Sequence, residues 1–412
     1  MAKENIIHCA FCGRNKQETK MLIAGQQGHI CDACVAEAFK IVSADAEIKS
    51  KEGVKQSLKL LKPHAIKEYL DLYIVGQDEA KKVISVAVYN HFKRVVNAKK
   101  DSKDEVEVEK SNVILVGETG TGKTLIARTI AKLLNVPFCI ADATVFTEAG
   151  YVGEDVESIL TRLLQESNYD VPSAERGIVF IDEIDKISRK GDNPSLTRDI
   201  KEGTQQALLK LLEDSVANVP PQGGRKHPDA KTIQVNTKNI LFICGGAFDG
   251  IERIIAKRMN TQAIGFAVNN EDEFDKKNML QYISPQDLKS FGLIPELIGR
   301  LPVLAHLNPL DAPTLKLILT EPKNALIKQY EYLFELDGVK LKVEATALDF
   351  IVEKAIEFKL GARGLRSICE AIMVDAMFEI PSEENQVKTF ILTEKYAREK
   401  MSHSKFSKLK VA

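Results

Sequence analysis

A glycine-rich segment matches the pattern G-x-x-x-x-G-K-[ST], which is typical of loops that bind nucleotide phosphates. It comprises Gly117, Glu118, Thr119, Gly120, Thr121, Gly122, Lys123 and Thr124. Apolar residues 113–116 predict a strand before it, and the spacing of 125–134 predicts a helix after it. The first backbone N–H groups of such a helix have no internal partner and point at an anion. We therefore expect a nucleoside triphosphate here, with Lys123 at its phosphates and the Thr124 hydroxyl on Mg²⁺.

Two adjacent acids, Asp182 and Glu183, follow the apolar residues 178–181. A parallel strand that ends in acids carries them to the carboxyl edge of the sheet, beside the phosphate loop. We expect Asp182 to hold Mg²⁺ and Glu183 to orient and deprotonate the attacking water. A solvated charge cluster is the alternative. The second acid favours hydrolysis over nucleotide sensing.

Hydrolysis also needs positive charge against the γ-phosphate. Arg300 follows a helix-like segment at 292–299, and Arg363 lies at a predicted helix start within 361–366. From the residues alone, a surface salt bridge is the more frequent role for such an arginine.

Four early cysteines have the spacing of a metal site, because they form two C-x₂-C pairs separated by eighteen residues: Cys9, Cys12, Cys31 and Cys34. Four thiolates complete a tetrahedron around structural Zn²⁺ and leave no position open for catalysis. Disulfides and a redox C-x-x-C pair are the alternatives. The unit could dock onto nucleic acid through its few basic residues or onto protein through its apolar ones. We expect the remaining three cysteines to be reduced core residues: Cys139, Cys244 and Cys369.

Composition limits the class of protein. The chain has 412 residues, with 57 Lys+Arg against 58 Asp+Glu and a formal net charge of −1. This balance argues against a protein that mainly coats nucleic acid. The N-terminus has no secretory or transit pattern, and no apolar run is long enough to span a membrane. We expect a soluble, cytoplasmic protein with two or three domains.

The pattern of elements predicts the organisation. We expect a zinc-binding domain at 1–50, a charged linker at 51–64, a large domain at 65–307 and a small domain at 308–412. Strands alternate with helices in the large domain, which implies an α/β fold with a mostly parallel sheet. The small domain reads as α+β. Charged residues dominate 99–110, and we interpret that segment as a solvated loop.

Together these motifs resemble the ClpX family of AAA+ protein unfoldases, which are the ATPase partners of the ClpP peptidase. The resemblance runs almost end to end. It implies an AAA+ P-loop domain, ATP, Mg²⁺ and Zn²⁺ as cofactors, and a homohexamer. It implies that Arg300 is a finger supplied to the ATP of a neighbouring subunit. Arg363 would be a sensor in the small domain, and Ile74 and Val75 would contact adenine.

Three further segments are diagnostic of the family, because they have no role in binding ATP. Tyr151 and Val152 resemble the family's pore loop, and the tripeptide Ile264, Gly265 and Phe266 resembles its peptidase-docking loop. A second pore loop is matched by Arg225, Lys226 and His227. Without the resemblance, Tyr151 would be interpreted as an ordinary loop aromatic and Phe266 as a core residue that anchors its loop. Arg225, Lys226 and His227 would be interpreted as a solvated hairpin tip.

The resemblance implies an ATPase that unfolds proteins, threads them through an axial pore and delivers them to the ClpP ring. Substrates and adaptors would be its other partners, and we expect neither membrane association, nor a nucleic-acid role, nor intrinsic peptidase activity. The alternative is a nucleic-acid-dependent AAA+ motor, such as a helicase or clamp loader. Two departures stand out. Glu118 occupies a position where the family commonly has proline, and no asparagine or threonine suggests itself as the first sensor.

Overall fold

The computed structural model describes residues 8–25, 28–40, 60–97, 108–146, 155–188, 196–220, 232–262, 278–358, 361–382 and 388–403. The chain divides into two compact units, Met1–Lys59 and Leu60–Ala412.

The first unit has a short antiparallel hairpin followed by a helix. Strand β1 spans Leu22–Ala24, strand β2 spans His29–Cys31, and helix α1 spans 32–40. The hairpin pairs Leu22 with Cys31. Cys9 joins it through an isolated parallel bridge to His29.

The second unit begins with two helices, α2 at Pro63–Asp71 and α3 at Asp78–Asn97. The pattern of residues 65–96 predicts helix with a break around 73–77, and these two helices confirm that prediction. The break contains Gln77, which is buried at a φ of 59°. Its side chain makes two hydrogen bonds to the backbone of Asn308, at 2.9 and 2.8 Å. A polar side chain that satisfies two distant backbone groups holds this turn to the chain after the sheet.

The centre of the second unit is a parallel sheet of five strands in the order β4-β5-β8-β3-β9. Its strands are β3 Val113–Val116, β4 Phe138–Asp142, β5 Ile178–Asp182, β8 Leu241–Gly246 and β9 Val303–His306. Helices flank it: α4 Lys123–Leu134, α5 Ser158–Glu166, α6 Val171–Ala174, α7 Leu196–Leu212, α8 Ile251–Gln262, α9 Pro285–Phe291 and α10 Pro295–Gly299. β3, β5 and β8 are buried along almost their whole length, which explains their continuous apolar runs.

The predicted α/β class is therefore confirmed, and the sheet has one strand that the sequence analysis missed. β9 is only four residues long and follows Pro302 directly. Its apolar run is too short to distinguish a strand from a loop, so pairing with β3 decides the matter.

An antiparallel hairpin branches from the sheet region after α7. Its strands are β6 Val216–Val219 and β7 Ile233–Asn236. The hydroxyl of Thr237 closes its base by donating to the carbonyl oxygen of Glu213 at 2.7 Å.

The C-terminal part has its own hydrophobic core, separate from the core around the sheet. Its elements are α11 Ala312–Thr320, α12 Leu326–Leu336, β10 Lys340–Val343, α13 Ala345–Glu357, α14 Gly361–Glu379, β11 Thr389–Leu392 and α15 Glu394–His403. β10 and β11 pair in parallel. A parallel pair needs a crossover, and α13 and α14 lie between these strands in the chain. This is the predicted smaller α+β region.

Lys110 corrects one interpretation, because it does not belong to a solvated loop. Its side chain is only 8% exposed and its ammonium lies 3.3 Å from Asp214. It also donates to the carbonyl oxygen of Thr237 at 2.7 Å. Burial lowers its pKa to about 8. Residues 99–107 of the charged segment lie outside the described residues.

Candidate functional site

A cavity of about 290 Å³ lies where α4 begins, β5 ends and α14 begins. It is lined by Thr119, Gly120, Gly122, Lys123, Thr124, Leu125, Asp182, Glu183, Asp185, Lys186, Ala247, Ala362 and Arg363. Most of the predicted nucleotide and catalytic residues of the second unit therefore meet here. The carboxyl edge of a parallel sheet is the expected place for such a site.

The phosphate loop joins β3 to α4 and opens the helix towards the cavity. Gly122 is the residue before α4 and has a φ of 103°, which a side chain would disfavour. Lys123 is the first helical residue and is 8% exposed. Its ammonium donates to the carbonyl oxygens of Gly117 and Glu118, at 2.5 and 2.9 Å. These contacts hold the charge beside the free N–H groups of the helix end.

The electrostatics around Lys123 run in two directions. Burial lowers the pKa of its ammonium, and the carboxylates of Asp182 and Asp185 act to raise it. An ammonium with carboxylates close by suits a site that must hold phosphates together with a divalent cation.

The acid pair lies at the end of β5. Asp182 is the last residue of the strand, and its Oδ2 atom accepts a hydrogen bond from the Thr124 hydroxyl at 3.3 Å. Glu183 follows with a φ of 57° and is exposed to the cavity. Positive φ is uncommon outside glycine and is concentrated at functional sites. The left-handed turn ends the strand and leaves both carboxylates at the cavity.

Asp185 is a cavity residue to which sequence reasoning gave no role. It is 3% exposed, and its Oδ1 atom accepts a hydrogen bond from the backbone nitrogen of Ala247 at 3.2 Å. This contact ties the turn after β5 to the chain after β8. Its place in the run Asp182-Glu183-Ile184-Asp185 was the available signal. Just beyond β8 the cavity is lined by Ala247. Because alanine has no polar side chain, the first sensor stays unassigned.

Arg363 reaches the cavity because the first residues of α14 pack against the phosphate loop. A Cβ atom built on Gly120 would lie 3.4 Å from the backbone nitrogen of Ala362. A Cβ on Gly361 would lie 3.3 Å from the carbonyl oxygen of Thr119. The two backbones therefore approach each other closely at these glycines. A residue from the C-terminal core thus shares one cavity with the sheet.

Six predicted residues do not line this cavity. Gly117, Glu118 and Thr121 belong to the phosphate loop itself, and the other three lie elsewhere. Arg300 lies beyond α10, where its guanidinium is 3.0 Å from Glu213 and lines a separate cavity of about 280 Å³. Ile74 is 5% exposed in the turn between α2 and α3. Val75 follows it and is half-buried.

The early cysteines converge on one point in the first unit. Their four sulfur atoms lie within 4.8 Å of one another, in the set Cys9, Cys12, Cys31 and Cys34. The backbone nitrogen of Cys31 donates to the sulfur of Cys9 at 3.3 Å. Four thiolates at this separation fit tetrahedral Zn²⁺ and leave no open position. The three remaining cysteines are buried, as predicted.

The predicted pore and docking residues all lie outside the described residues: Tyr151, Val152, Arg225, Lys226, His227, Ile264, Gly265 and Phe266. Separately, none of the helices in the described ranges combines the length and the apolar character needed to cross a membrane.

Comparison with known proteins gives family matches to three parts of the chain. Residues 7–44 match the ClpX C4-type zinc finger, and residues 108–304 match the AAA domain of the Cdc48 subfamily. Residues 310–391 match the C-terminal, D2-small domain of ClpB protein. The four-cysteine cluster is therefore a zinc finger, and the sheet with its cavity is an AAA nucleotide-binding domain.

Curated relatives match over nearly the whole length. The ATP-dependent Clp protease ATP-binding subunit ClpX of Bacteroides thetaiotaomicron is 63% identical over 409 residues, covering 98% of each chain. The protein of that name from Bacteroides fragilis is 61% identical over 416 residues, covering 100% of this chain and 99% of its own. The one from Porphyromonas gingivalis is 59% identical over 400 residues, covering 96% of each.

Proposed function

The chain belongs to the ClpX family, and we propose that it is an ATP-driven unfoldase that threads proteins through an axial pore into a ClpP peptidase ring. The relatives are named as ATP-binding subunits of an ATP-dependent Clp protease. The observation that carries the proposal is the cavity shared by the phosphate loop, Glu183 and Arg363. It combines a phosphate cradle, an acid and a cation from a separate core.

In this proposal the nucleotide is ATP and the loop at 117–124 holds its phosphates. Lys123 binds the β- and γ-phosphates, and Thr124 and Asp182 hold Mg²⁺. The bound cation neutralises charge that develops on the phosphates. Glu183 orients and deprotonates the attacking water, which is consistent with its exposed position beside the buried ammonium. Ile74 and Val75 remain proposed adenine contacts.

Arg300 supports a shared active site, because it lies outside the cavity of its own chain. We propose that it reaches the γ-phosphate of a neighbouring subunit, as the family's finger does. A contact of this head-to-tail kind closes into a ring, and the family's ring is a hexamer. Arg363 would sense the same chain's nucleotide and transmit its state to the C-terminal core.

ATP-driven motion would act on substrate through the pore segments. We propose that Tyr151 and Val152 grip the polypeptide and that Arg225, Lys226 and His227 form the second pore loop. The docking segment 264–266 would insert into the ClpP ring, with peptide cleavage left to that partner. Substrate proteins and adaptors belong to the proposal as its other partners. A cytoplasmic location belongs to the same proposal and rests on the family resemblance.

A Glu183→Gln variant tests the enzyme assignment. It should retain ATP binding, measured with a fluorescent analogue, and lose turnover because the amide cannot accept the water's proton. The wild-type rate should rise with an unfolded protein and stay unchanged with single-stranded DNA. Normal turnover by Glu183→Gln would refute the role of that residue. Stimulation by DNA alone would replace the unfoldase with a nucleic-acid motor.

A further inference from the structure

The backbone of Arg300 is held independently of its side chain. Arg300 follows the last turn of α10, where its N–H donates to the carbonyl oxygens of Glu296 and Leu297 at 3.3 and 3.1 Å. Its own carbonyl oxygen accepts a hydrogen bond from the side-chain amide of Asn112 at 3.0 Å. The backbone of Arg300, which sets the direction of its guanidinium, is therefore hydrogen-bonded to the residue directly before β3.

Asn112 is 1% exposed and uses both ends of its amide. Nδ2 donates to Arg300, and Oδ1 accepts from the backbone nitrogen of Phe242 at 3.2 Å. The partners determine which way the amide faces, because a backbone N–H can only donate and a carbonyl oxygen can only accept. The backbone carbonyl of Asn112 also accepts from Val303 at 3.2 Å. One buried residue thus clamps β8, β9 and the chain at Arg300 together.

The side chain of Arg300 has a looser partner. It is 54% exposed, and its ion pair with Glu213 involves a carboxylate that is 44% exposed. Exposed pairs of this kind contribute little to stability and exchange readily. The guanidinium is therefore free to leave Glu213 for a phosphate while the backbone stays where Asn112 holds it.

We propose that Asn112 is the positioning residue for Arg300, and that it controls ATP turnover in the neighbouring subunit rather than in its own. The inference rests on the proposed function of Arg300 as a finger supplied between subunits. Asn112 precedes β3, and the phosphate loop follows that strand. It therefore lies at the end of β3 away from the cavity and does not contact the nucleotide. Strand β3 thus has the phosphate loop of its own subunit at its carboxyl end and Asn112, which positions Arg300, at its amino end.

An Asn112→Asp variant separates the two hydrogen bonds. The carboxylate keeps the shape and an acceptor for Phe242, and it has no N–H to donate to Arg300. In the full-length hexamer, ATP affinity should stay close to wild type because the phosphate loop is untouched. The value of kcat should fall at least about tenfold, since small misplacements of a catalytic group are costly.

Mixed rings decide between a role in the neighbouring subunit and a purely structural role. Glu183→Gln subunits keep an intact Asn112 and Arg300 but do not turn over ATP. When they are in excess, nearly every Asn112→Asp subunit receives its finger from an intact neighbour. Turnover per Asn112→Asp subunit should then approach the wild-type value. A defect that lay in the subunit's own cavity or folding would not be corrected by its neighbours.

Two outcomes distinguish this inference from the proposal beneath it. If Arg300→Ala subunits are rescued by Glu183→Gln subunits and Asn112→Asp subunits are not, the positioning role of Asn112 is wrong. If neither variant is rescued, the assignment of Arg300 as a finger between subunits is wrong. Should Asn112→Asp fail to assemble, as judged by size-exclusion chromatography with ATP, Asn112→Ser undergoes the same mixing. Its short hydroxyl cannot join both partners, so the same rescue is expected.

Discussion

The hydroxyl of Thr124 lies 3.3 Å from Oδ2 of Asp182, although 58 positions separate the two residues in the chain. One belongs to the first turn of α4 and the other ends β5. Hydroxyl and carboxylate oxygens are ligands that Mg²⁺ accepts when it bridges protein and phosphate. The two residues are therefore in position to hold the same cation, directly or through water.

Asp182→Asn should weaken this Mg²⁺ site. We expect the Mg²⁺ concentration at half-maximal ATP turnover to rise roughly 10- to 100-fold, as for other disturbed metal shells. An Mg²⁺ titration of the ATPase rate measures it. Thr124→Val should raise the Mg²⁺ requirement in the same direction, because it removes the hydroxyl beside Asp182. Thr129→Val is its matched control, because Thr129 is buried on the same helix and does not line the cavity. Equal Mg²⁺ dependence in Asp182→Asn and wild type would contradict the assignment.

Arg363 and Arg366 offer a matched pair on α14. Arg363 lines the cavity, while Arg366 donates to the side chain of Gln329 at 3.3 Å. Arg363→Ala should reduce kcat on the order of 100-fold, since it removes a cation from the site where phosphate charge develops. Arg366→Ala should leave kcat near wild type. If steady-state kinetics show equal losses for both, the effect belongs to α14 as a whole and not to the cavity.

Zinc content should follow the four-cysteine cluster. We expect one Zn²⁺ per chain in the purified full-length protein, because the four sulfur atoms can complete a single tetrahedron. Cys12→Ser should lower this zinc content. Cys369→Ser is the control, because it changes a buried thiol in the C-terminal core, and it should leave the zinc content unchanged. Elemental analysis by mass spectrometry measures both. Unchanged zinc in Cys12→Ser would exclude this residue as a ligand.

His91 should make stability depend on pH. Burial lowers the pKa of its imidazole from 6.5 to about 3, with Arg94 and Lys110 acting in the same direction. The folded imidazole therefore stays neutral while the unfolded one takes up a proton below about pH 6.5. The stability that His91 contributes to the folded state is therefore fully present above about pH 6.5 and is lost as the pH falls towards 3. We expect a loss of about 2 kcal/mol in the free energy of unfolding between about pH 7.5 and pH 5.

Denaturant titrations of His91→Gln at the two pH values test this expectation. Glutamine does not titrate, yet it can donate to the carbonyl oxygen of Asn239 as the His91 ring does at 3.0 Å. The variant should lose less stability at low pH than wild type does. His64→Gln, at an exposed position on α2, is the control and should behave as wild type. An unchanged pH dependence in His91→Gln would exclude the imidazole as its source.

Local features of the fold were predictable. β3 has the bounds that its apolar run predicted, and α4 begins within the phosphate loop. Buried parallel strands are continuous in hydrophobicity, so their signal does not depend on the rest of the chain. β9 was missed because its four residues carry too little pattern without the partner strand.

Two buried polar residues show where sequence reasoning ended. The sequence predicts a solvated loop at Lys110 and indicates no role for Asn112, yet both side chains donate hydrogen bonds to distant backbone carbonyl oxygens. A lysine or asparagine near a charged segment is ordinarily exposed, and nothing in its own neighbours says otherwise. The partners lie far away in the chain and depend on the strand order.

The sequence by itself determined the chemistry that neighbouring residues perform together: the phosphate loop, the acids after an apolar strand and the paired cysteines. Such motifs lie within single turns, and short-range backbone geometry brings their atoms together. Only the tertiary structure decided that Arg363 meets the phosphate loop while Arg300 lies outside the cavity and is anchored by Asn112. Those distances follow from the order of the strands and the packing of two separate cores, which bring together side chains that are remote in the chain.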